Sequence, residues 1–396
     1  MTQNSTAHSL HGFAPVSAEA VPQFFGMLRR GGPRKTLVIC PIGLGNFIMA
    51  TPSLALLSQE IGAENLHLLA LRDGIQQMAD LSGYVSRVHK WDPDQETKRQ
   101  GLKTLLALRR ERYDYCISLF PSNNWRYCLY TRFAGARIRI GLDYPNTPLP
   151  ARLQHFSWPF NPDAHDTDQN CDLVEALLGE ASTAQRVQLF PYAPIHPQTE
   201  ALERENYYVV QPGSSVERGM VEKRLPAGAY SYLAHEIYQE FGLKCLVLGG
   251  PEQEGLRQEI TSQAPSAIIN YPSKDFHQLA ALITHARFYL GNDSGLMHIA
   301  ASLNKRCIIF YGPTDDKRCG PYSSNRRFGE KGDHLILRRS DLACSPCWTA
   351  KTVGGNPLCI HGDYRCVTQF PIEKFWPKIR QYIQENFRAS VSEART

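Results

Sequence analysis

Short uninterrupted apolar runs recur along the chain, and most are followed by a small polar or glycine-containing loop and then by a helical pattern. The first is "KTLVICPIGLGNFIMATPSLALLSQEIG", from Lys35 to Gly62, which predicts a buried strand, a glycine loop and a helix. Pro52 falls inside that helix. Either Thr51 caps a fresh start, with Pro52 in the first turn, or the helix kinks there. Further on, "NLHLLAL", a helical stretch around Met78, "RVHKW", a basic helix and "YDYCISLF" continue the alternation. The alternation restarts with "YYVVQPGSS" and a helix after Pro226. It continues through "KCLVLGG", a helix from about Glu252, "SAIINY", "FHQLAALITHA", "RFYLGNDSG", a further helix and "RCIIFYGPTD". Strands alternating with helices predict parallel sheets covered on both faces.

A chain of 396 residues exceeds one ordinary core, so two domains are expected. Residues 1–34 read as an N-terminal arm that packs on the domain, stays partly disordered or lies on a membrane surface. Residues 35–190 then form a first doubly wound domain, 191–203 a proline-rich linker, 204–372 a second domain and 373–396 a closing helix. Within the first domain, residues 143–163, rich in proline and aromatics, read as a long surface loop. The loops at 43–46, 212–215, 249–251 and 291–295 all fall at strand ends, where doubly wound domains bind ligands. No tandem repeat is evident.

The hydrophobic fraction of 42% and charged fraction of 20% describe a soluble globular protein. The chain has neither an apolar run long enough to span a bilayer nor the basic-then-apolar order of a secretory signal. A cytoplasmic location is expected, with the eleven cysteines as thiols or metal ligands rather than disulfides. Net charge is only +5, yet Lys98–Arg112 carries six basic residues against one acidic. That segment is either a solvated helix face or a dock for an anionic acceptor or acidic membrane surface. Nucleic acid is not an expected partner.

In "LGNDSGLMHIAASL", Gly291 and Gly295 permit tight turns, and a helix begins near Ser294 with its amides exposed. A phosphate or pyrophosphate is the natural guest of such an end. The competing reading makes Asp293 an ordinary helix cap and His298 a satisfied core histidine. In "QPGSSVERGMVEKR", the hydroxyls of Ser214 and Ser215 with the cations Lys223 and Arg224 suit a second phosphate contact, or form a plain turn. Neither a Gly-x4-Gly-Lys-Ser/Thr loop nor a complete Gly-x-Gly-x-x-Gly fingerprint is present. Near the end, Cys344, Cys347, Cys359 and Cys366 are spaced Cys-x2-Cys-x11-Cys-x6-Cys. Four thiolates, with His361 as a spare ligand, suit zinc or a single iron, while four reduced thiols are the alternative.

Taken together, "GNDSGLMHIAASLNKRCIIFYGPTD", "PIGLGNFIMATPSLALL", "PGSS" with the following Lys-Arg-Leu-Pro, and the cysteine cluster closely resemble glycosyltransferase family 9, the heptosyltransferases of lipopolysaccharide assembly. The likeness runs in order from about Lys35 to Trp376. It implies a GT-B fold, with two Rossmann-like domains facing across a cleft. The C-terminal domain would hold a nucleotide-sugar donor, usually ADP-L-glycero-β-D-manno-heptose, and the N-terminal domain a lipopolysaccharide core or other anionic acceptor. Carried over by position, Asp293, Ser294, Gly295 and Leu296 face the donor, with His298 beside them. Ser214, Ser215 and Lys223 hold the pyrophosphate, Glu252 (with Glu254 as rival) meets the ribose, and Gly45 and Asn46 meet the acceptor. No cofactor is implied for transfer. A metal at the cysteines would be a structural clip.

One departure matters. Where the family commonly has an aspartate base, this chain has Asn46, which cannot accept a proton at neutral pH. A substitute base is the favoured account, from Asp143, His165 or Asp166. Slow transfer without a strong base, and donor binding without transfer, are the other two. The leading reading is an inverting heptosyltransferase at the cytoplasmic face of the inner membrane. Transfer to a protein hydroxyl, as in the autotransporter heptosyltransferases, and a non-catalytic sugar-nucleotide binder are the alternatives.

Overall fold

The structure, a computed structural model, describes residues 26–28, 34–40, 43–72, 74–93, 95–122, 125–144, 153–179, 199–203, 205–214, 220–322, 334–348 and 359–387. Two six-stranded sheets carry it. The first comprises β1 (Thr36–Cys40), β2 (Leu66–Ala70), β3 (Arg87–Lys90), β4 (Tyr115–Ser118), β5 (Ile138–Asp143) and β6 (Phe156–Pro159), ordered β3-β2-β1-β4-β5-β6. The second comprises β7 (Tyr207–Gln211), β8 (Lys244–Gly249), β9 (Ile268–Pro272), β10 (Tyr289–Asn292), β11 (Cys307–Tyr311) and β12 (Leu335–Arg338), ordered β12-β11-β10-β7-β8-β9.

Every ladder is parallel. Numbered within its own half, each sheet has the same order, 3-2-1-4-5-6. The repetition invisible in the residues is therefore present in the topology. This is the GT-B arrangement expected. The strand order reverses beside β1/β4 and β7/β10, and ligands of doubly wound sheets bind outside the carboxyl ends at that point.

The helices of eight or more described residues are α1 (Leu44–Ile61), α2 (Ile75–Ser82), α3 (Lys98–Arg110), α4 (Trp125–Ala134), α5 (Asp166–Leu178), α6 (Ala227–Phe241), α7 (Glu254–Gln263), α8 (Phe276–His285), α9 (Gly295–Ser302) and α10 (Ile372–Phe387). Helix α1 packs on α5 and on α9 of the other domain, which explains its nearly all-round apolar sequence. It runs unbroken through Pro52, so the fresh start at Thr51 does not occur. Pro52 lacks the N–H that would bond the carbonyl of Ile48. The Thr51 hydroxyl donates to that carbonyl instead, at 2.7 Å and fully buried.

The long surface loop expected over 143–163 is corrected in part. Phe156–Pro159 is an edge strand whose alternate residues, Phe156 and Trp158, are buried, and an edge tolerates the proline. Residues 145–152 lie outside the described residues. Of the arm, Gly26–Leu28 packs on α5: Gly26 and Leu28 donate N–H to the carbonyls of Ala176 and Leu177, at 3.2 and 3.1 Å. Of the linker, the described part is Thr199 and a helical turn at Glu200–Glu203. Helix α10 buries Ile379 and Ile383 against α6 and β12 of its own domain. No helix among the described residues is long and apolar enough to cross a membrane.

The Thr51 bond generates a test. Thr51→Val keeps shape and β-branching but strands the buried Ile48 carbonyl. Unfolding in urea is expected to show a loss of about 1–3 kcal/mol, whereas an unchanged midpoint would mean the carbonyl needs no partner.

Candidate functional site

Strands β7 and β10 are neighbours, so the loops that follow them lie side by side. Asn292, fully buried at the end of β10, fastens them. Its Oδ1 accepts from the Tyr230 hydroxyl (2.6 Å) and the Leu225 N–H (3.4 Å), and its Nδ2 donates to the Pro212 carbonyl (2.6 Å). The next residue, Asp293, is buried and accepts from Lys223 Nζ at 2.6 Å. Burial pushes the Asp293 carboxyl up, but the Lys223 ammonium more than offsets it and holds the carboxyl below its usual range. Burial likewise works against the Lys223 charge, and Asp293 reverses the direction. Both groups are therefore charged. The ammonium also lies 5.6 Å from the centre of the Trp348 ring.

This pairing corrects the helix-cap reading of Asp293. The N-cap of α9 is Ser294, whose side chain makes no cap bond, and its Oγ lies 3.2 Å from the Tyr289 hydroxyl. The first-turn amides of Gly295 and Leu296 thus have no side-chain cap. On the adjoining loop, the Ser214 hydroxyl donates to the Met220 carbonyl (2.6 Å) and accepts from Arg224 Nε (3.0 Å), so it closes its own turn. Ser215 lies outside the described residues.

A Cβ on Gly213 would lie 2.0 Å from Gln253 Oε1, so any side chain there would have to displace the Gln253 amide. The two acidic rivals after β8 separate clearly. Glu254 pairs with Arg257, a fully buried guanidinium that also donates to the Gly249 carbonyl (3.1 Å) and to Asn270 (2.8 Å). Glu252 is 40% exposed and 3.3 Å from Lys274. Gln253 and Arg257 were not singled out from the sequence, where nothing distinguishes them from surface residues of a helix.

The other wall comes from α1. A Cβ on Gly45 would lie 2.6 Å from the His298 ring, and one on Gly295 would lie 2.8 Å from Leu44. The starts of α1 and α9 therefore meet across the domain boundary with no space for a methyl group. Asn46, half-buried, follows in the first turn of α1. His298 is buried, and burial pushes its pKa down to about 4, so its ring is neutral at pH 7. Its Nδ1 has no hydrogen-bond partner among the described residues.

Beside this contact the start of α5 meets the segment 315–322 of the other domain. Asp166 Oδ1 accepts from Arg318 Nη2 at 2.8 Å, with both residues buried. His165 Nε2 lies 3.2 Å from the Gly320 carbonyl, and the Tyr322 hydroxyl donates to Asp168 at 3.1 Å. The Arg318 guanidinium sits over Phe120 and Phe160, 5.1 and 5.6 Å from the ring centres. Burial pushes the Asp166 carboxyl up to about 7; Arg318 offsets this in part, while Asp293 and Asp315 add to it.

Of the three alternative bases, only Asp166 combines burial at the domain boundary with a carboxyl near neutrality. His165 spends Nδ1 accepting from the Thr167 N–H (3.1 Å), faces a carbonyl with Nε2 and is pushed down to about 4 by burial. Asp143 is exposed at the end of β5. Arg318 was missed in the sequence because its partner is 152 positions away.

The structure draws the four cysteines of the predicted cluster together. Cys344, Cys347, Cys359 and Cys366 share one corner, near enough for neighbouring sulfurs to add to the burial that raises Cys347 and Cys366. Among the described residues, however, no three His, Cys, Asp or Glu side chains form a group able to hold a metal ion. Burial works to raise Cys359 as well, but backbone N–H groups of its own turn, from His361, Tyr364, Gly362 and Asp363, outweigh it. Cys366 is buried beside Gly312 and Val367. No step is routed through a metal here.

The glycosyltransferase family 9 (heptosyltransferase) model matches residues 102–333. Lipopolysaccharide heptosyltransferase 3 of Escherichia coli is 22% identical over 310 residues, covering 75% of this chain and 89% of its own. The solved E. coli heptosyltransferase WaaC with ADP superposes with a TM-score of 0.61 at 17% identity, over 88% of this chain and 98% of that one. The iron-containing dodecameric glycosyltransferase TibC of enterotoxigenic E. coli gives 0.52 at 13% identity, over 89% and 77%. The family model spans more than half of the residues, and the chain belongs to glycosyltransferase family 9.

Proposed function

We propose that the chain is an inverting transferase that moves heptose, or a closely related sugar, from an ADP-heptose-type donor to a hydroxyl of a lipopolysaccharide core. The observation that carries this is the charged Lys223–Asp293 pair at the side-chain-uncapped start of α9. A diphosphate seated there meets the amides of Gly295 and Leu296 and the Lys223 ammonium. These fixed charges stabilise the departing ADP as the bond between the anomeric carbon and phosphate oxygen breaks. Asp293 offers the sugar hydroxyls a carboxylate acceptor, and Glu252 is the carboxylate available to a ribose.

The acceptor hydroxyl attacks the anomeric carbon from the face opposite ADP, which inverts that centre. Its proton must pass to a base. Asn46 can orient the hydroxyl but not take the proton, and Asp166 fills that role: it is buried at the domain boundary, and its carboxyl sits near 7. Arg318 holds it in position and stabilises the carboxylate before the transfer.

Two tests separate binding from chemistry. Lys223→Met should weaken ADP-heptose binding by calorimetry about 10- to 100-fold and destabilise the fold, since it leaves Asp293 buried and unpaired. Lys223→Met/Asp293→Asn should recover much of that stability but none of the affinity. If the double variant binds donor normally, Lys223 is structural only.

For the base, transfer must need ionised Asp166, so wild-type kcat should rise with pH through about 7 and then level off. Asp166→Asn should lower kcat about a hundred- to ten-thousandfold and abolish that rise, with donor affinity kept. An unchanged pH profile would remove Asp166 from the mechanism. Tight donor binding with no turnover by the wild type would make the chain a non-catalytic relative.

A further inference from the structure

The basic helix α3 is not a uniformly solvated face. A capping box between Thr97 and Gln100 fixes its start, and it turns Gly101, Leu108 and partly Leu105 toward the sheet, around Trp91 and Tyr130. Leu102 and Leu106, one turn apart, point the other way, 57% and 48% exposed. On the adjoining helix α4, Phe133 is 48% exposed. Among the described residues only five large hydrophobic side chains are exposed, and these three share one outer surface of the N-terminal domain.

Cations surround them. Lys98, Arg99, Lys103, Arg109 and Arg110 on α3, with Arg132 and Arg137 at and beyond the end of α4, are all exposed. The segment 98–139 holds ten Lys and Arg against two acidic residues, while the whole chain has an excess of only five; everything outside it is net acidic. Both acidic residues are already engaged. Glu111 pairs with Lys35 and Arg87, and Asp114 lies 3.6 Å from Arg137.

We propose that the outer surface of α3 and α4 docks on an anionic phospholipid bilayer, with Leu102, Leu106 and Phe133 entering the interface and the surrounding cations meeting lipid phosphates. Bulky aliphatic groups inside a basic ring match that boundary, where apolar chains lie beneath a layer of negative charge. A nucleic-acid groove would call for cations with stacking aromatics rather than exposed leucines. The helix is formed and capped before it docks, so the surface requires no folding on binding. The inference rests on this surface and not on the acceptor's identity.

The test is co-sedimentation of the full chain with vesicles of phosphatidylcholine, with and without phosphatidylglycerol, and free of any acceptor. Binding is expected only to the anionic vesicles and should be lost at high salt. Leu102→Ser/Leu106→Ser and, separately, Arg99→Glu/Lys103→Glu should each reduce the bound fraction at least about tenfold. All four positions are exposed, and circular dichroism and thermal unfolding should match wild type. Failure to bind, equal binding to neutral vesicles, or binding untouched by either double variant overturns the proposal. Since no donor or acceptor is present, the outcome is independent of whether transfer occurs.

Discussion

The contact that sets the geometry of the whole molecule is the approach of two helix starts, α1 from one domain and α9 from the other. It depends on glycine at two positions. Gly45 lies against the His298 ring, Gly295 lies against Leu44, and in neither place would a methyl group fit without displacing its neighbour. Each helix follows the first or fourth strand of its sheet, the positions at which strand order reverses. The topology thus aims both loops at one boundary, and the glycines let the helix starts touch. Under the proposed function, a sugar carried at the start of α9 is beside the domain that presents the acceptor.

Around that contact the charges are arranged in buried pairs. Lys223 with Asp293 and Arg318 with Asp166 each join segments far apart in the chain, and the second pair joins the two domains. Buried ion pairs contribute little net stability, because desolvation offsets their attraction. Under the proposed function they hold charge ready: a cation and a carboxylate at the proposed donor end, and a carboxyl near neutrality at the proposed acceptor end. Neutral His298 sits next to them, excluded from water by the same contact that brings the helices together.

Much of the architecture was legible because parallel strands buried on both faces are written as unbroken apolar runs, as in Leu37–Cys40 and Cys307–Tyr311. Strands β5, β6 and β12 were missed for physical reasons. Arg137–Asp143 alternates arginines with apolar residues, Phe156–Pro159 ends in a proline, and Leu335–Arg338 has no helical pattern after it to continue the alternation. The resemblance singled out Asp293 and Lys223, but only the fold shows that they bond to each other. The Asp166–Arg318 pair leaves no local trace at all. The cysteine spacing rightly drew the four sulfurs to one corner, but spacing alone does not say whether they take a metal.

Everything proposed for this domain boundary depends on its carrying out transfer. The direct measurement is release of ADP from ADP-heptose by the wild-type chain, with and without deacylated core lipid, alongside mass analysis of the lipid. Acceptor-dependent release is expected, with one heptose gained by the lipid for each ADP. Release that ignores the acceptor, or an acceptor that gains no sugar while donor binds, would contradict the proposed function.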